Sequence, residues 1–114
     1  MLQAKQTVML VHYPAPRNTA IEIVINNNIY AALKDVKTTL AVEFHGVAGI
    51  GTSAEDAKEY VLMYAITDPY DNKRPTTQEL EEIILSVKKI DSAISNVSFQ
   101  DVPEEEEQFN FTLN

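Results

Sequence analysis

The sequence predicts an α+β domain: an antiparallel or mixed sheet of about five to six strands, with one long amphipathic helix (residues 76–95) packed on one face. Three observations support this class. Aliphatic residues recur at helical spacing between residues 80 and 94, several short runs alternate as strands do, and 114 residues suffice for one core. We therefore expect a single domain over residues 1–114, with an acidic segment at 103–108 inside it.

The helix is the most clearly patterned element. Its apolar face consists of Leu80, Ile83, Ile84, Val87, Ile90 and Ile94, which are three or four residues apart. Thr76 and Glu79 have the form of a capping box, in which each side chain accepts from a free backbone N–H group. Leu85 falls outside the apolar face, and Asn96 is a suitable stop. This face must be buried against a sheet, because so short a helix is not stable alone.

The N-terminal third contains two strand patterns and one ambiguous segment. Residues 7–13 are rich in β-formers and end at prolines, so they predict a strand. Residues 20–25 alternate isoleucine with other residues and predict a second strand. Three asparagines then indicate a turn or a helix N-cap. Residues 28–37 favour a short helix, with a strand as the alternative.

The middle of the chain predicts two strands around a glycine-bearing loop. Residues 38–45 alternate and predict a strand, and the following segment, 46–57, contains all three glycines and predicts a loop. Residues 59–67 form a continuous apolar run that is typical of a buried strand. A helix beginning at Ser53 is the competing interpretation, since short apolar runs fit both states.

Two closing strands are predicted after the helix, at residues 97–102 and 109–113. Between them lies the acidic run, and Asp101 with this run supplies five of the negative charges behind a formal net charge of −8. A basic footprint of the kind that binds phosphate backbones is missing, which argues against nucleic acid as a partner. The candidate interaction residues are Glu104, Glu105, Glu106, Glu107, Phe109 and Phe111.

Composition narrows the chemistry. The chain has no cysteine, which excludes disulfides, zinc–thiolate sites and thiol catalysis. His12 and His45 lack the spacing of metal-binding motifs, so we predict neither a metal nor another cofactor. No apolar run approaches the roughly 20 residues of a membrane helix, and the N-terminus is not typical of a signal peptide. We therefore expect a cytoplasmic protein that does not contact a membrane.

The glycine-bearing loop provides the alternative functional site. Backbone N–H groups of such a loop can hold a phosphate, although no lysine precedes Thr52 as a P-loop would require. The candidate ligand-binding residues are His45, Gly46, Gly49, Gly51, Thr52, Ser53, Arg17, Lys73 and Arg74. This interpretation predicts a small virus-encoded inhibitor, or a nucleotide or small-ligand binder that acts on a host factor.

From about Thr38 onward the chain resembles tail-terminator and related neck proteins of tailed phages. The similarity lies in the order of a strand (LAVEFHG), a glycine-bearing loop, a second strand (EYVLMYAIT), a helix with an acidic start (TQELEEIILSVKKI) and closing strands. The resemblance implies a homo-oligomeric ring in which the 46–57 loop and the acidic segment contact neighbouring copies. It implies no catalytic residue, and a location in the host cytoplasm or the virion.

The leading hypothesis is therefore a non-enzymatic protein that associates with itself and with other assembly or host proteins, as a phage-type assembly component. No nucleophile–base pair can be located along the chain, which argues against an enzyme. The small-ligand binder is the alternative. A single-strand nucleic-acid binder with an acidic tail is the third hypothesis, since such proteins stack bases on aromatic side chains.

Overall fold

The computed structural model describes residues 6–51, 57–70 and 73–101, and confirms an α+β fold. The described elements are β1 (Gln6–Pro14), α1 (Thr19–Val36), β2 (Ala41–Ile50), β3 (Glu59–Thr67), α2 (Thr77–Lys88) and β4 (Asn96–Asp101). Strands and helices thus follow one another as βαββαβ.

The four strands form one sheet in the order β2-β3-β1-β4, and every neighbouring pair is antiparallel. This order and connectivity correspond to the ferredoxin-like arrangement, in which each half of the chain is a split βαβ unit. The prediction of five to six strands and one long helix is not confirmed, because the described residues form four strands and two helices. The predicted strand at 109–113 and the acidic segment at 103–108 lie outside the described residues.

The strand predicted at residues 20–25 is wrong, because these residues begin α1. The side chain of Asn18 caps the helix by accepting from the Ile21 N–H group at 3.1 Å. Ile25, Ile29 and Leu33 are buried at four-residue spacing, whereas Ile23 is exposed. Burial of this helical stripe outweighs the β-propensity of the isoleucines. The helix predicted at 28–37 is correct as the second half of α1.

The three consecutive asparagines, interpreted as a turn or an N-cap, lie in the middle of α1 instead. Asn26 reaches β3, where its side-chain oxygen accepts from the Tyr64 hydroxyl. The Asn28 amide donates to the Val24 carbonyl oxygen one turn earlier, at 2.7 Å. These side-chain bonds replace the turn that asparagine otherwise favours.

Helix α2 begins as predicted and ends earlier. The Thr76 N–H group donates to Glu79 Oε1 at 2.8 Å, and the Glu79 N–H group donates to Thr76 Oγ1 at 3.2 Å, which confirms the capping box. The helix stops at Lys88 rather than at residue 95. The chain must turn there to enter β4, so Ile94 is buried by a turn and not by a helical face, and Asn96 begins the strand.

The first part of the segment predicted as a glycine loop, residues 46–50, is strand. Gly46 and Gly49 lie within β2, which begins at Ala41 rather than at residue 38. A bulge between Phe44 and Gly46 shifts the register against β3, and Gly46 has φ +128°, a conformation that side chains rarely allow. The apolar run at 59–67 is a strand, β3, and not the competing helix. The strand predicted at 97–102 is confirmed as β4, which the structure places at Asn96–Asp101.

The core lies between the helices and one face of the sheet. Along β1, Met9, Val11 and Tyr13 are buried, and the intervening Val8 and Leu10 are half-buried on the opposite face. No described helix or strand covers that opposite face, which we call the open face. In the part of the chain that is described, no helix has the length and apolarity needed to span a membrane.

Leu62 and Leu85 form a matched pair for testing this packing. Leu62 is fully buried in β3, whereas Leu85 is 63% exposed on α2. We expect Leu62→Ala to lower the free energy of unfolding by about 2–5 kcal/mol, because it removes buried contacts and leaves a cavity. Leu85→Ala should change it by less than about 0.5 kcal/mol. Urea unfolding measures both, and equal losses would contradict the assigned packing.

Candidate functional site

Strand β2 is an exposed edge of the sheet. Among the described residues it pairs only with β3, so the hydrogen-bonding groups on its other side face outward along Ala41–Ile50. An edge of this kind is a template for pairing with another chain. The bulge after Phe44 interrupts the edge, which leaves the stretch Ala41–Phe44 as its regular N-terminal part.

A groove runs between α1 and β2 beside this regular stretch. We call it the α1–β2 groove; it has a volume of about 310 Å³ and is lined by Asn26, Ile29, Tyr30, Val42, Phe44 and Tyr64. The Phe44 and Tyr64 rings meet with their centroids 5.3 Å apart. Phe44 is 44% exposed and Tyr30 is 56% exposed, so two aromatic rings at the groove remain open to solvent. The groove is therefore a predominantly apolar depression at the side of an unpaired strand.

Polar groups mark the floor and one end of the groove. The Tyr64 hydroxyl donates to Asn26, and burial raises the pKa of Tyr64, which keeps this hydroxyl protonated as a donor. Lys34 lies over the Tyr30 ring, with Nζ 5.0 Å from the ring centroid, and donates to the Thr38 carbonyl oxygen at 2.5 Å. A positive charge is thus held next to the aromatic rim.

A second polar cluster fixes the start of α1 to β1. Arg17 donates to the buried Glu22 through Nε at 3.0 Å and Nη2 at 3.1 Å, and the Tyr13 hydroxyl donates to the same carboxylate. Hydrogen bonding from Arg17 lowers the pKa of Glu22. Burial, followed by the bond to Glu22, raises the pKa of Tyr13 to about 12. These three donors hold the carboxylate in place, so we assign the cluster to positioning α1.

A third cluster lies on the open face and links three strands. His12 Nδ1 is 3.0 Å from Glu59 Oε1, and His12 Nε2 is 3.0 Å from Ser98 Oγ. This order of side chains is that of an acyl-transfer triad. Such chemistry also requires a concave site and oxyanion donors, whereas these residues lie on an uncovered sheet face. We assign the row to cross-strand stabilisation of β3, β1 and β4.

The structure separates the predicted phosphate-binding residues. Arg17 follows the end of β1 at Pro14, whereas Arg74 donates through Nε to the Gln6 carbonyl oxygen, at 3.2 Å, at the other end of the same strand. Nine residues of strand span roughly 27 Å, so Arg17 and Arg74 do not converge on one ligand. Lys73 is exposed next to Arg74.

The remaining predicted residues lie in or next to β2 or outside the described residues. His45 is exposed at the bulge, with Nε2 3.2 Å from Glu43 Oε1. Gly46 and Gly49 belong to β2, and Gly51 follows the strand. The other predicted residues, Thr52, Ser53, Glu104, Glu105, Glu106, Glu107, Phe109 and Phe111, lie outside the described residues. No group of three or more His, Asp or Glu side chains in the described ranges is placed to bind a metal.

The groove residues were missed at the sequence level because α1 was divided into a strand and a short helix. The spacing of Ile21, Ile25, Ile29 and Leu33 is the signal that could have revealed one continuous helix. With that helix in place, Tyr30 would have been expected at its margin.

Comparisons with known proteins give information about the fold and nothing further. No protein-family model and no curated protein matches the chain. Among solved structures, the C-terminal domain of the MgtC protein from Mycobacterium tuberculosis is similar, with a TM-score of 0.54 and 9% identity, covering 89% of this chain and 90% of that one. AtUAH in complex with glyoxylate is similar with a TM-score of 0.50 and 10% identity, covering 88% of this chain and 27% of that one. Identities this low indicate a shared architecture and carry no assignment of activity.

The Glu22 cluster predicts a specific acid dependence of stability. Because the pKa of Glu22 is lowered in the folded state, its contribution is complete above its ordinary value of 4.5 and is lost as pH falls through the lowered pKa. We expect Glu22→Gln to cost about 1–3 kcal/mol near neutral pH and to show a smaller loss on acidification than the wild type. Urea unfolding between about pH 7 and pH 3 measures this. Glu81→Gln, at an exposed position of α2, is the control, and identical pH slopes for Glu22→Gln and the wild type would contradict the assignment.

Proposed function

We propose that this chain is a non-enzymatic, self-associating interaction protein that docks through the β2 edge and the α1–β2 groove. The observation that carries the proposal is an outward-facing edge strand beside a groove whose rim exposes Phe44 and Tyr30. Main-chain hydrogen bonds at such an edge supply affinity, and side-chain pockets beside it supply specificity.

Physical considerations favour docking over catalysis at this site. Exposed aromatic rings next to an apolar depression are the type of residue that dominates binding energy at interfaces. Fully burying one such ring contributes about 1.5–3 kcal/mol. Lys34 lies over the Tyr30 ring and donates to the Thr38 carbonyl oxygen, and the groove-lining residues include no carboxylate or histidine that could act as its acid–base partner. The groove therefore has features of recognition and lacks a catalytic pair.

The assembly that we propose is a phage-type, homo-oligomeric particle component, located in the host cytoplasm or the virion. What supports it is the order of β2, β3, α2 and β4, which agrees with the order of elements behind the resemblance to tail-terminator and neck proteins. In such a ring β2 would face a neighbouring copy. A fifth strand from residues 109–113 belongs to this proposal.

The alternatives receive less support. A nucleotide binder using the predicted set would need Arg17 and Arg74 at one site, and they occupy opposite ends of β1. A single-strand nucleic-acid binder of this architecture stacks bases on sheet aromatics. On the open face, the central strands β1 and β3 carry Val8, Leu10 and Met63. These side chains have no aromatic ring on which a base could stack.

Sedimentation velocity over a range of concentrations tests the proposed function. We expect the wild type to associate at micromolar concentrations, and Tyr30→Ser and Phe44→Ser each to weaken association about tenfold or more, because loss of an aromatic hot spot costs about 2 kcal/mol or more and about 1.4 kcal/mol is a factor of ten. Leu85→Ser is the matched control, since Leu85 is an exposed large apolar residue on the other helix, away from the groove. A wild type that remains monomeric at tens of micromolar, or an equal effect of Leu85→Ser, would overturn the proposal.

A further inference from the structure

The chain continues for thirteen residues beyond β4, and this segment contains a strand-like pattern. Phe109, Phe111 and Leu113 alternate with Asn110 and Thr112. In an extended conformation the three apolar side chains face one side and the two polar ones face the other. An acidic run of four glutamates precedes the pattern and is separated from it by Gln108.

We propose that the segment Phe109–Leu113 of one copy docks on the β2 edge of a second copy, with its apolar side chains in the α1–β2 groove. This inference rests on the proposed function and names both surfaces of the self-association. The segment adds a strand beside Ala41–Phe44, so the sheet of the second copy gains a fifth strand.

The fit follows from spacing and sidedness. Val42 and Phe44 lie on the side of β2 that faces the groove, two residues apart, and Phe109 and Phe111 repeat at the same interval of roughly 7 Å. The segment, with five residues, is long enough to pair with the four-residue regular stretch Ala41–Phe44 that ends at the bulge. Asn110 then faces the same side as the exposed Glu43, where a polar residue is suitable.

The four glutamates precede Gln108 and Phe109, and their negative charges keep the segment soluble when it is not docked.

The topology favours a second copy over the chain's own segment. The residues that lead to the segment follow Asp101, the last residue of β4, which pairs with Thr7. This point is at the end of the sheet where β2 starts, but β4 and β2 are at opposite edges. Entering there, a chain's own segment would run parallel to β2. A segment from another copy can run antiparallel, and antiparallel pairing is the more stable ladder. Because β4, from which the segment continues, and the groove beside β2 are at opposite edges of the sheet, copies joined in this way associate head to tail, as in a ring or filament.

A complementation experiment with full-length chains tests this arrangement. The segment variant is F109S/F111S, the groove variant is Phe44→Asp, and the control is N110S/T112S, which alters the polar side of the same segment. We expect each of the first two to be monomeric alone at concentrations where the wild type associates. Mixed in equal amounts, they should form a one-to-one dimer that does not grow, because only one intact segment and one intact groove remain. The control should associate like the wild type.

The other possible results contradict the inference, and one of them also contradicts the proposed function. A segment variant that associates like the wild type, or a mixture that stays monomeric, overturns the inference and leaves the proposed function standing. A monomeric wild type overturns both. If the wild type is monomeric and F109S/F111S newly binds a hydrophobic dye, the chain's own segment occupies the groove instead. Circular dichroism checks that Phe44→Asp is folded, and Tyr30→Asp at the exposed rim replaces it otherwise.

Discussion

The packing of α1 against the sheet is the contact on which the rest of this structure depends. Ile25, Ile29 and Leu33 bury one stripe of the helix in the same cluster as the inward-facing residues of β1 and β3. This stripe sets the rotation of α1, and the rotation leaves Tyr30 at the margin facing β2. The α1–β2 groove is thus the space that remains where a helix covers the central strands but not the edge.

Buried charges at both ends of α1 hold that rotation. At the N-terminal end Glu22 is bonded to Arg17 and Tyr13, and at the C-terminal end Lys37 forms an ion pair of 2.7 Å with the buried Asp68. Buried ion pairs contribute little net stability, because desolvation offsets their attraction, but breaking one is costly. Their effect here is geometric: a helix with a different rotation would leave a carboxylate buried without its partner. The groove is therefore defined by specific contacts as well as by packing.

Elements whose signal is local could be predicted from the sequence, whereas elements that depend on tertiary contacts could not. The capping box of Thr76 involves neighbouring residues, so it could be predicted and is confirmed. The state of residues 20–25 could not be predicted from alternation, because the same isoleucines fit either period and burial of Ile25 decides between them. The groove was unpredictable for a related reason: Tyr64 and Asn26 are 38 residues apart and meet only once the sheet has formed. The interaction segment with Phe109 and Phe111 stays a prediction.

The bulge in β2 connects edge protection with selectivity. A regular ten-residue edge would accept many extended segments, and natural sheets avoid this with bulges, charges and twists. The conformation of Gly46 interrupts the edge, so a docking strand can extend over only a few residues, and a few main-chain bonds do not suffice for specific association. In the association that we propose, the additional free energy would then come from side chains, chiefly the rings of Phe44 and Tyr30. A half-blocked edge next to an aromatic groove would in that association discriminate by the partner's alternating apolar residues, whereas an open edge would not.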